Sequence, residues 1–149
     1  LQEFVPRKVE AISEETAYLM TNLMEGVVQF GTGARLRGQY KFTQHIAGKT
    51  GTTQNQSDGW FMGITPELVS GCWVGCEDRV VHFRTLELGQ GARTAMPIWA
   101  LYMQKVYADT SLHIYQGEFE RPKEPISVEL DCGKYVQRGE EKENKEDNF

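Results

Sequence analysis

Two strand-like runs, GWFMGIT at residues 59–65 and VSGCWVGCE at residues 69–77, are separated by almost nothing. Pro66 lies in the ITPEL link, where its fixed φ suits a turn, so the two runs must double back as an antiparallel hairpin. A third strand-like run covers residues 42–52. Such a sheet must bury one face, and the sequence supplies a helix on either side of it.

The first helix is expected at residues 13–30. Ser13 can cap it, and Glu14 and Glu15 suit the positive end of its dipole. Leu19, Leu23, Val27 and Phe30 recur at helical spacing, widened by Met20, Met24 and Val28, and Gly31 and Gly33 are stop signals. The second helix follows the glycine-marked GQGARTAM segment, with Pro97 tolerable only near its first turn. Ile98, Leu101, Tyr102 and Val106 are its expected buried face. The VVHFRTLEL segment fits a further strand or a loop equally well. Beyond Asp109 helix and strand signals fade, and from residue 133 mixed charge with little apolar content predicts disorder. The expected fold is α+β: a three-stranded antiparallel sheet packed with an N-terminal and a C-terminal helix.

Net charge is −5 over 149 residues, with no basic stripe, so nucleic acid is a poor partner. No apolar run reaches membrane-spanning length, and no signal-peptide pattern opens the chain. The first residue is Leu1, from which we expect a piece of a longer polypeptide whose targeting segment lies upstream. Cys72 and Cys76 on one strand stand too far apart to bridge, and with Cys132 they make an odd set of free thiols. His45, His82 and His113 are scattered, so no metal and no cofactor is expected.

HIAGKTGTTQNQSDGW contains a Gly-Lys-Thr run of the kind that cradles phosphate. A phosphate loop, however, needs a glycine five residues before Gly48, where Thr43 stands, and a helix after it, where GTTQNQSDGW has no helical period. As the end of a strand the run makes better sense. Thr50 and Thr52 share one face, Lys49 takes the other, and Gly51 keeps the backbone approachable. Two hydroxyls, open edge amides and a cation suit an extended peptide that ends in a carboxylate.

The stretch AGKTGTTQNQSDGWFMGITPELVSGCWVG, with VVQFGTGA before it and AMPIW after, resembles the C-terminal part of the transpeptidase domain of class A, bifunctional penicillin-binding proteins. The resemblance covers residues 9–108 and implies a partial β-lactamase/transpeptidase-like fold. Residues 1–110 would then be the transpeptidase portion, 111–132 an irregular extension and 133–149 a charged tail. The implied chemistry is acyl transfer. A serine in S-x-x-K attacks the D-Ala-D-Ala end of a peptidoglycan stem peptide, and an amine resolves the acyl-enzyme into a cross-link; β-lactams trap it. Lys49 would assist proton transfer, and Thr50 and Thr52 would bind the carboxylate beside Gly51. The backbone N–H of Thr52 would be an oxyanion donor.

Thr53, Asp58 and Trp60 are candidates for shaping the cleft, although the preferred reading is that Asp58 satisfies loop amides while one aromatic of the WF pair packs under the sheet. Thr32 and Gly33 match a G-T-G segment of the family, which the resemblance implies to flank the cleft, and helix termination explains them as well. Trp73 and Trp99 read as core, Gln54, Asn55 and Gln56 as a solvated turn, and His45 as a partly exposed strand residue.

The nucleophile is missing. Ser13, Ser57, Ser70, Ser111 and Ser127 are followed three residues on by Thr16, Trp60, Trp73, Ile114 and Leu130, never by lysine, and no S-x-N triplet occurs. The chain alone is therefore expected to be inactive and to need the remainder of the domain upstream. The implied location is the extracytoplasmic face of the inner membrane, anchored by a segment outside this chain. A serine β-lactamase fragment and a non-catalytic ligand-binding or assembly module are the alternatives. Self-association through the uncovered edge of the strand at residues 69–77 is a further expectation.

Overall fold

The computed structural model describes residues 9–131 and Lys134. Cys132 and, Lys134 apart, the tail at 133–149 lie outside the described residues, as do residues 1–8. In chain order the elements are α1 (Glu14–Gln29), α2 (Arg35–Gly38), β1 (Ala47–Thr52), β2 (Asp58–Ile64), β3 (Val69–Gly75), α3 (Leu86–Gly89) and α4 (Ala95–Ala108). The strands form one antiparallel sheet in the order β1-β2-β3. The α+β architecture expected from the sequence is the one observed.

The hairpin is β2–β3, in register from Ile64 opposite Val69 to Asp58 opposite Gly75. Its turn is closed by the Thr65 amide donating to Leu68 O at 2.8 Å and the Leu68 amide donating to Thr65 Oγ1 at 3.1 Å. The first strand is shorter than expected, because residues 42–46 lie outside the ladder. The carbonyls of Phe42 and Gln44 accept from Arg37 Nη1 at 2.9 and 2.7 Å instead. Phe42 and Ile46 are still buried, so the apolar signal there was a core signal rather than a strand signal. Similarly β3 stops at Gly75, and VVHFRTLEL is irregular up to the short α3.

Ser13 caps α1 as expected: its backbone is extended and its Oγ accepts the Thr16 amide at 3.2 Å. At the other end the amides of Phe30, Gly31 and Gly33 turn back onto the carbonyls of Gly26 and Val27, which ends the helix. Its buried face is narrower than the periodicity predicts. Val28 is fully buried, but Leu23 is 67% exposed and Phe30 91%. The helix leans on β1 and α2, and one side of its apolar stripe, with Met20 and Leu23, stays largely exposed.

The second helix, α4, needs a larger correction. Its buried row is Ala95, Met96, Trp99, Ala100, Met103 and Val106, whereas Ile98, Leu101 and Tyr102 face outward. Two apolar stripes compete on this helix, and the sheet selects the one bearing Trp99. Gly63 on β2 makes the selection possible, because a β-carbon there would overlap the Trp99 ring. Trp99 meets Phe61 edge-on at 5.0 Å between ring centroids and donates its indole N–H to Ser70 Oγ at 2.8 Å. The core is thus Phe61 of β2 and the Trp99 row of α4, joined by Phe42, Ile46, Leu36 and Val28. The other sheet face, with Lys49, Trp60, Met62, Val69 and Trp73, is open.

Candidate functional site

β1 is an edge strand, and its free side gathers the residues singled out in the sequence. In its register with β2, Lys49 stands opposite Met62, Thr50 opposite Phe61 and Thr52 opposite Gly59. Thr50 and Thr52 therefore share the face that α4 covers, while Lys49 lies on the open face. Just past the strand the Thr53 amide donates to Asp58 O at 3.1 Å. Since ladder bonds alternate along an antiparallel edge, the N–H groups of Thr52 and Thr50 point away from β2. Lys49 Nζ curls over the edge and donates to Thr50 O at 2.8 Å, which brings the ammonium to the same free side. Two outward amides and one cation meet there, beside the two hydroxyls on the adjoining sheet face. Such an edge can hold an extended chain by strand addition and an anion by its hydroxyls.

Both hydroxyls are held from behind. Thr50 Oγ1 is 2.9 Å from Thr32 Oγ1, which comes from the turn that ends α1. Thr52 Oγ1 accepts the Gly91 amide at 3.0 Å, from the loop that leads into α4. Gly91 reaches this position because it has no side chain: a β-carbon would run into the carbonyl oxygens of Gly51 and Trp60. Neither supporting contact was legible in the sequence. Thr32 had a sufficient explanation in helix termination, and nothing in GQGAR marks an amide that will meet a strand.

The loop after β1 is a single turn of 3-10 helix, Gln54–Gln56. Asn55 and Gln56 adopt left-handed backbone, with φ of 58° and 55°, a conformation that is uncommon outside glycine. Asp58 holds the base of this turn. Thr53 and Ser57 both donate their hydroxyls to Asp58 Oδ2 at 3.1 Å, the Asp58 amide donates to Thr53 Oγ1 at 3.0 Å, and Trp73 Nε1 donates to Oδ1 at 3.0 Å. The carboxyl is held below its ordinary range, chiefly by the Trp73 indole; the hydroxyls and the Arg79 charge add to this against the opposing effect of burial. Asp58 therefore ties the end of β1 to β2 and β3, using hydroxyl and indole donors rather than the loop amides expected for it.

Trp73 corrects the sequence reading. It is 46% exposed on the open face and tilts against Trp60, with 6.3 Å between ring centroids. Trp99 is core, as expected, and Phe61 is the aromatic of the WF pair that packs under the sheet. His45 precedes β1, where its Nδ1 lies 2.9 Å from Glu25 Oε1 of α1, far along the strand from Thr52. Cys72 and Cys76 are free thiols, and burial pushes the Cys72 thiol up. Among the described residues no group of three or more His, Cys, Asp or Glu could hold a metal ion, and no helix is long and apolar enough to cross a membrane.

Comparison with known proteins gives a consistent picture. Residues 3–70 match the penicillin binding protein transpeptidase domain model. Penicillin-binding protein 1A of Pseudomonas aeruginosa is 36% identical over 111 residues, which are 74% of this chain and 13% of that protein. Penicillin-binding protein 1A of Aquifex aeolicus is 34% identical over 131 residues, 87% of this chain and 16% of that one. A crystal structure of penicillin-binding protein 1A from Haemophilus influenzae superposes with a TM-score of 0.63 at 29% identity, covering 75% of this chain and 17% of its own. The chain thus spans only a small part of the length of the relatives it matches.

Proposed function

The chain corresponds to the C-terminal part of the transpeptidase domain of class A penicillin-binding proteins, and from that premise we propose that it supplies the carboxylate-binding wall of a serine D,D-transpeptidase site. The observation that carries this reading is the free edge of β1, where the hydroxyls of Thr50 and Thr52 and the Lys49 ammonium meet outward-facing amides. The terminal carboxylate of a D-Ala-D-Ala stem peptide, or that of a β-lactam, accepts from the two hydroxyls. The chain of the ligand runs along the edge, with Gly51 leaving its approach clear. The Thr52 N–H donates to the oxyanion of the tetrahedral intermediate, jointly with the N–H of the attacking serine. Lys49 provides positive charge beside the serine of the second motif and assists proton transfer. Asp58 and Thr53 hold the end of β1 in register, and Trp60 lines the open face.

Both serine motifs must be supplied from outside these 149 residues, since no S-x-x-K or S-x-N occurs in them. The open sheet face and the uncovered β3 edge are where the remainder of the domain packs. In its absence a second copy pairs along β3. The assembled protein works on peptidoglycan at the extracytoplasmic face of the membrane, anchored by a segment beyond this chain, and carries a glycosyltransferase as well.

A chimera tests the reading. Residues 9–108 replace the matching segment of the Pseudomonas aeruginosa relative, and acylation by a fluorescent penicillin is followed. The chimera is expected to be labelled, Lys49→Ala to slow labelling by about a hundredfold or more, and the isolated chain to remain unlabelled. A folded chimera that takes no label, or a stable adduct on the chain alone by intact-mass measurement, would overturn it.

A further inference from the structure

We infer that Thr32 is a positioning residue for anion binding: it donates its hydroxyl proton to Thr50 Oγ1 and so turns the Thr50 O–H outward onto the ligand carboxylate. The inference rests on the reading of β1 as a carboxylate grip and adds to it a residue outside the Lys-Thr-Gly strand.

Proton count decides the direction of the bond. A threonine hydroxyl carries a single hydrogen and two acceptor lone pairs. Thr32 Oγ1 and Thr50 Oγ1 are 2.9 Å apart, so one of the two hydrogens lies between them and only one is left for anything else. A carboxylate accepts and cannot donate. When it meets Thr50, the Thr50 hydrogen must point at it, and the hydrogen between the two threonines must then come from Thr32. The same arrangement stands one step along the strand, where the donor is fixed by chemistry. The Gly91 amide can only donate, so Thr52 Oγ1 is the acceptor and its own hydrogen is free to face the ligand. Each hydroxyl of the pair is thus backed by a donor, and hydrogen bonds in such a chain strengthen one another.

The fold holds Thr32 in this place. Gly31 and Gly33 on either side of it donate their amides to Val27 O at 3.1 and 3.0 Å, and the Ala34 amide donates to Gly31 O at 3.0 Å. The turn is therefore pinned to the end of α1 while its middle residue overhangs β1. Thr32 is exposed and its hydroxyl has no structural duty that burial would impose. An isostere there keeps the backbone turn and gives up only an exposed hydrogen bond, which keeps its role separable from global stability.

The test is a titration of the present chain, followed by amide NMR shifts along β1, with N-acetyl-D-alanyl-D-alanine and with the C-terminal carboxamide of the same dipeptide. Wild type is expected to prefer the acid. Thr32→Val should weaken acid binding by about threefold to tenfold, the scale of one hydrogen bond between neutral groups. It should leave amide binding unchanged, so that the preference for acid shrinks. Thr32→Ser should restore the preference, and Thr32→Val added to Thr50→Val should cost nothing more than Thr50→Val alone. If Thr50→Val lowers the preference and Thr32→Val does not, the role given to Thr32 is wrong while the grip stands. If wild type binds acid and amide alike, or binds neither, the grip itself fails and the inference falls with it.

Discussion

The two edges of this sheet are built in opposite ways. β1 is polar, with Lys49, Thr50 and Thr52, and segments from both sides of the molecule reach it: Thr32 from the end of α1 and the Gly91 amide from the loop before α4. β3 carries Val69, 63% exposed, and Trp73 along its open face, and its edge has no strand beside it among the described residues. An unpaired edge invites another chain, and proteins commonly blunt it with charge or cover. β1 has charge and partial cover, which leave space for a small extended ligand. β3 has neither, which suits it to more protein. One edge is polar and backed by its neighbours; the other is apolar and uncovered among the described residues.

The comparison presupposes that both edges hang on one core, and the largest expected effect tests this. Trp99→Ala should cost about 3–5 kcal/mol in urea unfolding, because the side chain is fully buried and supports the centre of the sheet. Loss of the β1 signals without those of β3, by hydrogen exchange, would show two separate supports instead.

Next in size is Asp58, which ties the two edges together across β2. Its carboxyl is held below the ordinary range in the folded chain, so unfolding takes up a proton on acidification. The stability it contributes is whole above the ordinary carboxylate range and is lost as pH falls through the lowered folded value. Asp58→Asn should lower the unfolding midpoint at neutral pH and flatten its decline in acid. An unchanged acid limb would assign that decline to other carboxylates. Because Trp73 is the chief donor, Trp73→Phe should reproduce part of the effect.

A smaller change should affect β3 alone. Val69→Lys removes an exposed apolar side chain from each copy, worth about 1.5 kcal/mol per copy where fully buried, and should weaken any dimer by up to about a hundredfold. Sedimentation that shows wild type and variant equally monomeric would remove the second copy as an occupant of this edge. Smallest is Ser13→Ala, which deletes the cap of α1 and should cost about 1 kcal/mol. It should loosen the Thr32 turn at the far end of that helix less than it loosens the first turn, as read by amide exchange.

Much of this was legible in the sequence. Two strand-like runs and Pro66 in the short link between them specified the β2–β3 hairpin, because short range and a fixed φ are properties of the local chain. Ser13 announced the start of α1 for the same reason, and the Thr50/Thr52 face followed from counting along a strand. The errors arose wherever two local solutions were equally good. Residues 42–46 are apolar enough for a strand, but Arg37 takes their carbonyls. The helix α4 has two apolar stripes, and only a sheet with Gly63 in the right place prefers the Trp99 stripe to that of Ile98, Leu101 and Tyr102. Trp73 alternates like a core residue, yet the face it joins is uncovered.

What the sequence determined by itself was therefore the kind of edge β1 is, since the spacing of Lys49, Thr50, Gly51 and Thr52 is local, and the absence of any S-x-x-K or S-x-N motif, since that is a matter of residue spacing. What the tertiary structure alone decided was how the edge is armed. A hydroxyl has no preferred direction until a neighbour supplies or takes a proton, and the neighbours of Thr50 and Thr52 come from positions 32 and 91, far away along the chain.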